Sequence, residues 1–317
     1  MKMATGEQLK ILVKSHYENE ENFRTIALQI AAYEANKGNA TLARDIRNII
    51  DISSNTNKKQ IYLHNDSNGL IDCSISQFRL RDLVVNKEIR NRIDRIIKEY
   101  FNRDKLKMHG FENRRKILLS GPPGTGKTMT ASVLAFELGL PICTILMDKL
   151  VTKYMGETGM KLRQVFDFIS EHPGVYIFDE FDAIGSDRNR DNDVGEIRRI
   201  LNSFLQFIEQ DNSESIIIAA TNNQSLLDNA LFRRFDDVIS YELPGKVELK
   251  RLIKNRLGAF YNKDINLVGI ANEFKLLSQA EIVRVCDDSI KEAILNDKVY
   301  VDEDILIQMI KERLGAY

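Results

Sequence analysis

The chain has 317 residues, enough for two or three domains each with its own core. With 43% apolar and 29% charged residues it has an ordinary globular composition, and a formal net charge of -1 offers no overall attraction to nucleic acid or anionic lipid. No apolar run reaches the length of a membrane span and the N-terminus lacks a charged-then-apolar export pattern, so a cytoplasmic protein is expected.

From Thr5 to Asp51 apolar residues recur at helical spacing: Leu9, Leu12 and Val13, then Phe23, Ile26, Ala27 and Ile30, then Leu42, Ile46, Ile49 and Ile50. Thr5 with Gln8 fits a capping box, and Gly38 is placed to stop the second helix. The expected organisation therefore begins with a small helical module at 1–51. A Ser-, Asn- and Lys-rich stretch follows, which reads as a linker over 52–75. Cys73, Cys143 and Cys286 are few, odd in number and far apart; they suggest neither a disulfide framework nor a metal knuckle, and fit a reducing compartment. His16, His64, His109 and His172 are isolated from one another and read as surface or structural side chains.

Over 76–244 short apolar runs alternate with helical patterns. The runs are KILLS (116–120), PICTILM (141–147), GVYIF (174–178) and SIIIAA (215–220). Such alternation predicts an α/β domain, a parallel sheet sandwiched by helices. Beyond Pro244 the pattern is helical: Leu249, Leu252, Ile253 and Leu257 form one stripe, Ser278 with Glu281 makes a capping box, and a last helix covers roughly Asp304 to Leu314. Residues 245–317 are expected to form a helical lid.

The segment GPPGTGKT, from Gly121 through Pro122, Pro123, Gly124, Thr125, Gly126 and Lys127 to Thr128, fits the phosphate-loop template. It lies after an expected strand and opens the helix that carries Thr130 to Leu138, and the nucleotide-binding run is expected to extend through Met129. Its glycines let backbone N–H groups curl around phosphate oxygens, Lys127 reaches the terminal phosphates, and Thr128 offers a hydroxyl to magnesium. VYIFDE places Asp179 and Glu180 at the carboxyl edge of the sheet, where Asp179 would hold hydrated magnesium and Glu180 would polarise an attacking water. AATNN brings Thr221 and Asn222 to the same edge, where the amide can hold the water or the γ-phosphate; a turn signal is the plainer reading.

The phosphate loop, FDEFDAIG (178–185), AATNN (218–222) and ALFRRFDD (230–237), in this order, resemble the AAA family of ATPases within the AAA+ class. The resemblance covers roughly Phe78 to Ile290 and implies ATP and Mg²⁺ as ligands, ATP hydrolysis, and a homo-hexameric ring. It also implies that an arginine in the last segment enters a neighbouring subunit's nucleotide site. Arg233 and Arg234 both occupy that segment without the Pro-Gly pair that usually separates them, so either can be the finger; the plain alternative is a pair of salt bridges to Asp236 and Asp237.

In the family, TKYMGET (152–158) would place Lys153, Tyr154, Met155 and Gly156 on a loop facing a central pore, the favoured reading; the plainer alternative is that Tyr154 packs as a core aromatic. A second charged loop at 186–199 precedes a helix with Val194, Ile197, Leu201, Phe204 and Ile208 inward; Arg188 and Arg190 read as substrate contacts or as solvated charges with equal weight, and Arg198 and Arg199 as subunit contacts. The lid turn carries Ser278, Gln279 and Ala280 where some AAA+ relatives have a sensor arginine, and Arg284 reads as a helix-surface charge, leaving nucleotide sensing by the lid in question. The favoured function is a chaperone-like ring motor that pulls on a protein substrate. The alternatives are a clamp-loader or initiator type acting on nucleic acid, which the balanced charge disfavours, and an ATP-controlled scaffold. The resemblance extends to single-ring bacterial AAA proteins, some encoded beside a subtilisin-like protease, which makes such a protease a candidate partner; no membrane partner is expected.

Overall fold

A computed structural model describes residues 31, 39, 69–151, 157–181, 194–222, 232–267 and 269–315. The chain divides into two compact units, Met1–Gln60 and Ile61–Tyr317. The helical module expected at 1–51 lies outside the described residues, save for Ala31 and Asn39.

The second unit is built on a six-stranded sheet. Its strands are β1 (Ile71–Ser74), β2 (Lys116–Ser120), β3 (Ile142–Ile145), β4 (Val175–Phe178), β5 (Ile216–Thr221) and β6 (Asp237–Ser240), in the order β1-β3-β4-β5-β2-β6. All pairings are parallel except β1 with β3. Helices α1 (Lys87–Phe101), α2 (Arg103–Met108), α3 (Lys127–Leu138), α4 (Met147–Leu150), α5 (Glu157–Glu171) and α6 (Val194–Gln210) fall between the strands. The central strands carry consecutive apolar residues, such as Ile117–Leu119 and Val175–Phe178, because both faces are covered. Ile117, Leu119, Val175, Ile177, Ile216 and Ile218 share one core with Ile93 and Ile96 of α1 and Val133 and Leu134 of α3. Leu118, Tyr176, Phe178 and Ile217 face the other way, onto Leu162, Val165 and Phe166 of α5 and Phe204 and Ile208 of α6. There Phe204 packs against Phe166, Phe178 and Phe181 with ring centroids 4.5 to 5.9 Å apart, a spacing that adds to the plain burial of area.

Helices α7 (Lys246–Leu257), α8 (Gln279–Leu295) and α9 (Glu303–Leu314) form a third core from the expected stripe of Leu249, Leu252, Ile253 and Leu257 with Ile282, Val285, Leu306 and Ile310. Both bonds of the capping box are present at the start of α8, between Ser278 and Glu281. Cys286 is buried in this core, which pushes its thiol up to about 12, so it stays protonated at neutral pH.

Two strands were not legible as apolar runs. β6 lies beside the arginine pair, and β1 lies in the stretch read as a linker. Hidden with β1 was a covalent bond: Cys73 and Cys143 stand opposite one another in the antiparallel ladder and form a disulfide across 70 residues of sequence. This corrects the expectation of unbonded cysteines and removes their count as an argument for a reducing compartment. Spacing along the chain cannot reveal a bridge whose partners meet only through strand pairing. Because the bridge restricts the unfolded chain, Cys73→Ser is expected to lower unfolding stability by about 2–4 kcal/mol. Chemical denaturation without reductant should show the loss, and reductant should bring the wild type down to the variant.

Candidate functional site

Strand β5 lies between β2 and β4, so the segments leaving these three strands are neighbours at the carboxyl edge of the sheet. Gly121 leaves β2 with φ 140°, and a Cβ there would come 2.2 Å from the Tyr241 carbonyl oxygen. Gly124, at φ 74°, faces the lid: a Cβ there would meet Ser278 Oγ at 2.5 Å. Glycine at 121 and 124 is thus required by close approach as well as by loop curvature.

Lys127 is buried, and its ammonium donates to Gly121 O (2.7 Å), Pro122 O (2.8 Å) and Asn222 Oδ1 (2.9 Å). Thr125 Oγ1 donates to Pro122 O at 2.7 Å, helping to hold the turn. Thr128 Oγ1 donates to Asp179 Oδ2 at 2.6 Å, which ties the start of α3 to the end of β4. Lys127, Thr128, Asp179 and Asn222 therefore converge. The run from Pro123 to Met129, with Asp179, Glu180 and Asn222, lines one cavity of about 1540 Å³.

Glu180 lies on this wall with its side chain exposed and its backbone at φ 51°. A left-handed conformation costs a residue other than glycine on the order of 1–3 kcal/mol, and such cost concentrates at functional positions. The Glu180 N–H donates to Asp179 Oδ1 at 2.9 Å. One carboxylate thus receives both the Thr128 hydroxyl and the neighbouring amide.

The cavity also contains what sequence reading missed. Its far wall is formed by α7 and α8: Ala280 N–H donates to Gly124 O at 3.0 Å, and Arg251, Arg256, Gln279 and Arg284 line the same space. Arg284, read as a helix-surface charge, has an exposed side chain on the cavity wall. The helical periodicity of α8 was the available signal, since Ala280 and Arg284 are four apart and share a face.

Neither Arg233 nor Arg234 lines this cavity, and neither pairs with the acids beside it in sequence. Asp236 Oδ2 accepts the Arg115 and Lys116 amides at 2.9 Å each, and Asp237 pairs with Arg92 at 3.2 Å. The plain expectation of salt bridges to these two acids is corrected, because both are spent at the edge of the sheet. Arg234 pairs with Glu209 on α6; Arg233 is exposed and has no ion-pair partner among the described residues. Lys153, Tyr154, Met155, Gly156, Arg188 and Arg190 lie outside the described residues, as do the side chains of Arg198 and Arg199.

A strand running into a glycine-rich loop that opens a helix, beside a second strand ending in Asp-Glu, defines a P-loop nucleoside triphosphatase. Residues 117–243 match the profile of the ATPase family associated with various cellular activities (AAA). An AAA family ATPase of Sinorhizobium fredii, y4kL, is 34% identical over 310 residues, covering 95% of this chain and 93% of the relative. The chain belongs to the AAA family and is an ATPase. It is also 32% identical over 241 residues to a proteasome-activating nucleotidase of Methanopyrus kandleri, and 33% identical over 208 residues to an ATP-dependent zinc metalloprotease FtsH of Karelsulcia muelleri. These matches cover 72% and 63% of this chain, but only 54% and 34% of the respective relatives. Among the described residues no helix is long and apolar enough to cross a membrane.

Proposed function

We propose that the chain is a ring-forming ATPase that remodels a protein substrate, with each active site completed by Arg233 of an adjoining copy. The observation that carries this reading is the position of Arg233, an exposed guanidinium that has no ion-pair partner among the described residues and is absent from the wall of its own chain's cavity. A surface ion pair is worth about 0–1 kcal/mol, whereas an arginine finger contributes about 10³–10⁵ in rate. Arg234 is held by Glu209 and positions the segment rather than reaching out. Head-to-tail contacts of this type close into rings, and the family resemblance points to six copies.

Within each pocket, Lys127 exchanges its carbonyl and amide partners for terminal phosphate oxygens, and the backbone from Gly121 to Thr128 cradles the chain of phosphates. Asn222 holds the γ-phosphate or the attacking water, and Glu180 orients and polarises that water. Thr128 and Asp179 present a hydroxyl and a carboxylate in direct contact, an oxygen donor set that would suit a magnesium ion. Held there, the ion would supply positive charge to offset that of the phosphates.

Protein remodelling as the use of this energy is supported by the relatives whose names are proteasome-activating nucleotidase and FtsH. The FtsH match covers 34% of that relative, so the likeness is to that part of it. Tyr154, with Lys153, Met155 and Gly156, remains the proposed grip, and residues 1–51 the proposed docking module, in a cytoplasmic protein whose partner could be a subtilisin-like protease. Turnover measured across protein concentration tests the assembly: rate per subunit is expected to rise steeply as copies associate. Full turnover by a dilute monomer would overturn it.

A further inference from the structure

Three arginines of the lid lie on the wall of the phosphate-loop cavity, and their electrostatic circumstances differ. Arg256 on α7 is occupied by the Asp287 carboxylate, with Nε and Nη2 donating at 2.5 and 2.7 Å. Arg251, on the same helix, and Arg284, on α8, are exposed and form no ion pair with any described acid. Two guanidiniums unpaired with any described acid therefore border the cavity whose opposite wall carries Lys127.

Their register points at the phosphates. Ala280 touches the phosphate loop through its amide bond to Gly124 O, and Arg284 stands one turn further along the same face, about 6 Å of helical rise away. The cavity, at about 1540 Å³, is larger than the roughly 300–1,000 Å³ of a typical small-molecule cleft. Two exposed cations on its wall are placed to meet whatever anion the loop holds. A guanidinium is suited to this role because it gives several N–H donors in a plane and keeps its charge.

We propose that Arg251 and Arg284 are nucleotide-binding residues of the lid, which contact the phosphate chain of ADP and ATP and so couple lid closure to occupancy. They do what a sensor arginine at the start of α8 would do, from positions further along the lid helices. The inference rests on the reading of this cavity as the nucleotide site.

Calorimetric titration of the full chain with ADP tests it without turnover, using Arg251→Gln, Arg284→Gln, the double variant and Arg284→Lys, with Lys127→Ala as a reference. Each Gln variant is expected to bind ADP about tenfold more weakly, the range of a lost charged hydrogen bond, and the double variant more weakly still. Raising the salt concentration should shrink the difference from wild type, and Arg284→Lys should recover part of the loss. Adenosine, which has no phosphate, should bind all the lid variants alike. Unchanged ADP affinity in the double variant, or an equal loss for adenosine, would overturn the proposal. If Lys127→Ala also bound ADP normally, the reading of the cavity itself would fail; if Lys127→Ala lost ADP while the lid variants kept it, only the role of the lid would fail.

Discussion

Glu180→Gln is expected to lower ATP turnover by about 10²–10⁴ while ATP still binds. The amide matches the carboxylate in shape but cannot draw a proton from water, and the substitution leaves Lys127 and its three contacts intact. Asp179 cannot substitute, because its two oxygens already receive the Thr128 hydroxyl and the Glu180 amide. The left-handed backbone at Glu180 is unchanged by the substitution, so stability should be close to wild type. Steady-state phosphate release together with equilibrium ATP binding reads both halves; turnover within tenfold of wild type would remove Glu180 from the chemistry.

Arg233→Ala is expected to cost about 10³–10⁵ in turnover per assembled subunit, the range for arginine fingers, with assembly itself retained. Arg234→Ala should cost far less, because its charge is shared with Glu209 across a half-exposed surface where such pairs contribute about 0–1 kcal/mol. Turnover and sedimentation measured on the same samples separate the two roles. Equal losses in both variants would mean that the ion pair to Glu209 does not divide them.

The phosphate loop and the strand ending at Asp179 could be read directly, because both chemistry and backbone demand local residue types in fixed order. Four central strands were visible for a related reason: coverage on both faces leaves their apolar runs unbroken. Strand β1 was hidden since its four residues alternate Ile71 and Cys73 with the polar Asp72 and Ser74 at the end of a polar-rich stretch, and its register across from β3, with the Cys73–Cys143 bridge, is a fact of pairing rather than of spacing. The lid's part in the site was hidden in the same way. Nothing local to Gly124 announces that Ser278 and Ala280 pack on it, and Arg251 and Arg284 are over thirty positions apart in the chain. Asp236 and Asp237 looked like partners for the adjacent arginines, but strand pairing turned them toward Arg115, Lys116 and Arg92. Sequence neighbours on a chain entering a strand face different surroundings.

The most direct test of a shared active site is to mix Arg233→Ala subunits, which keep an intact pocket, with Glu180→Gln subunits, which keep the finger. If the guanidinium comes from the adjoining copy, mixed assemblies must regain turnover well above either parent, with a maximum near equal proportions. If every mixture gives only the weighted sum of the two parents although co-assembly is demonstrated, each pocket is complete within one chain and the account is contradicted.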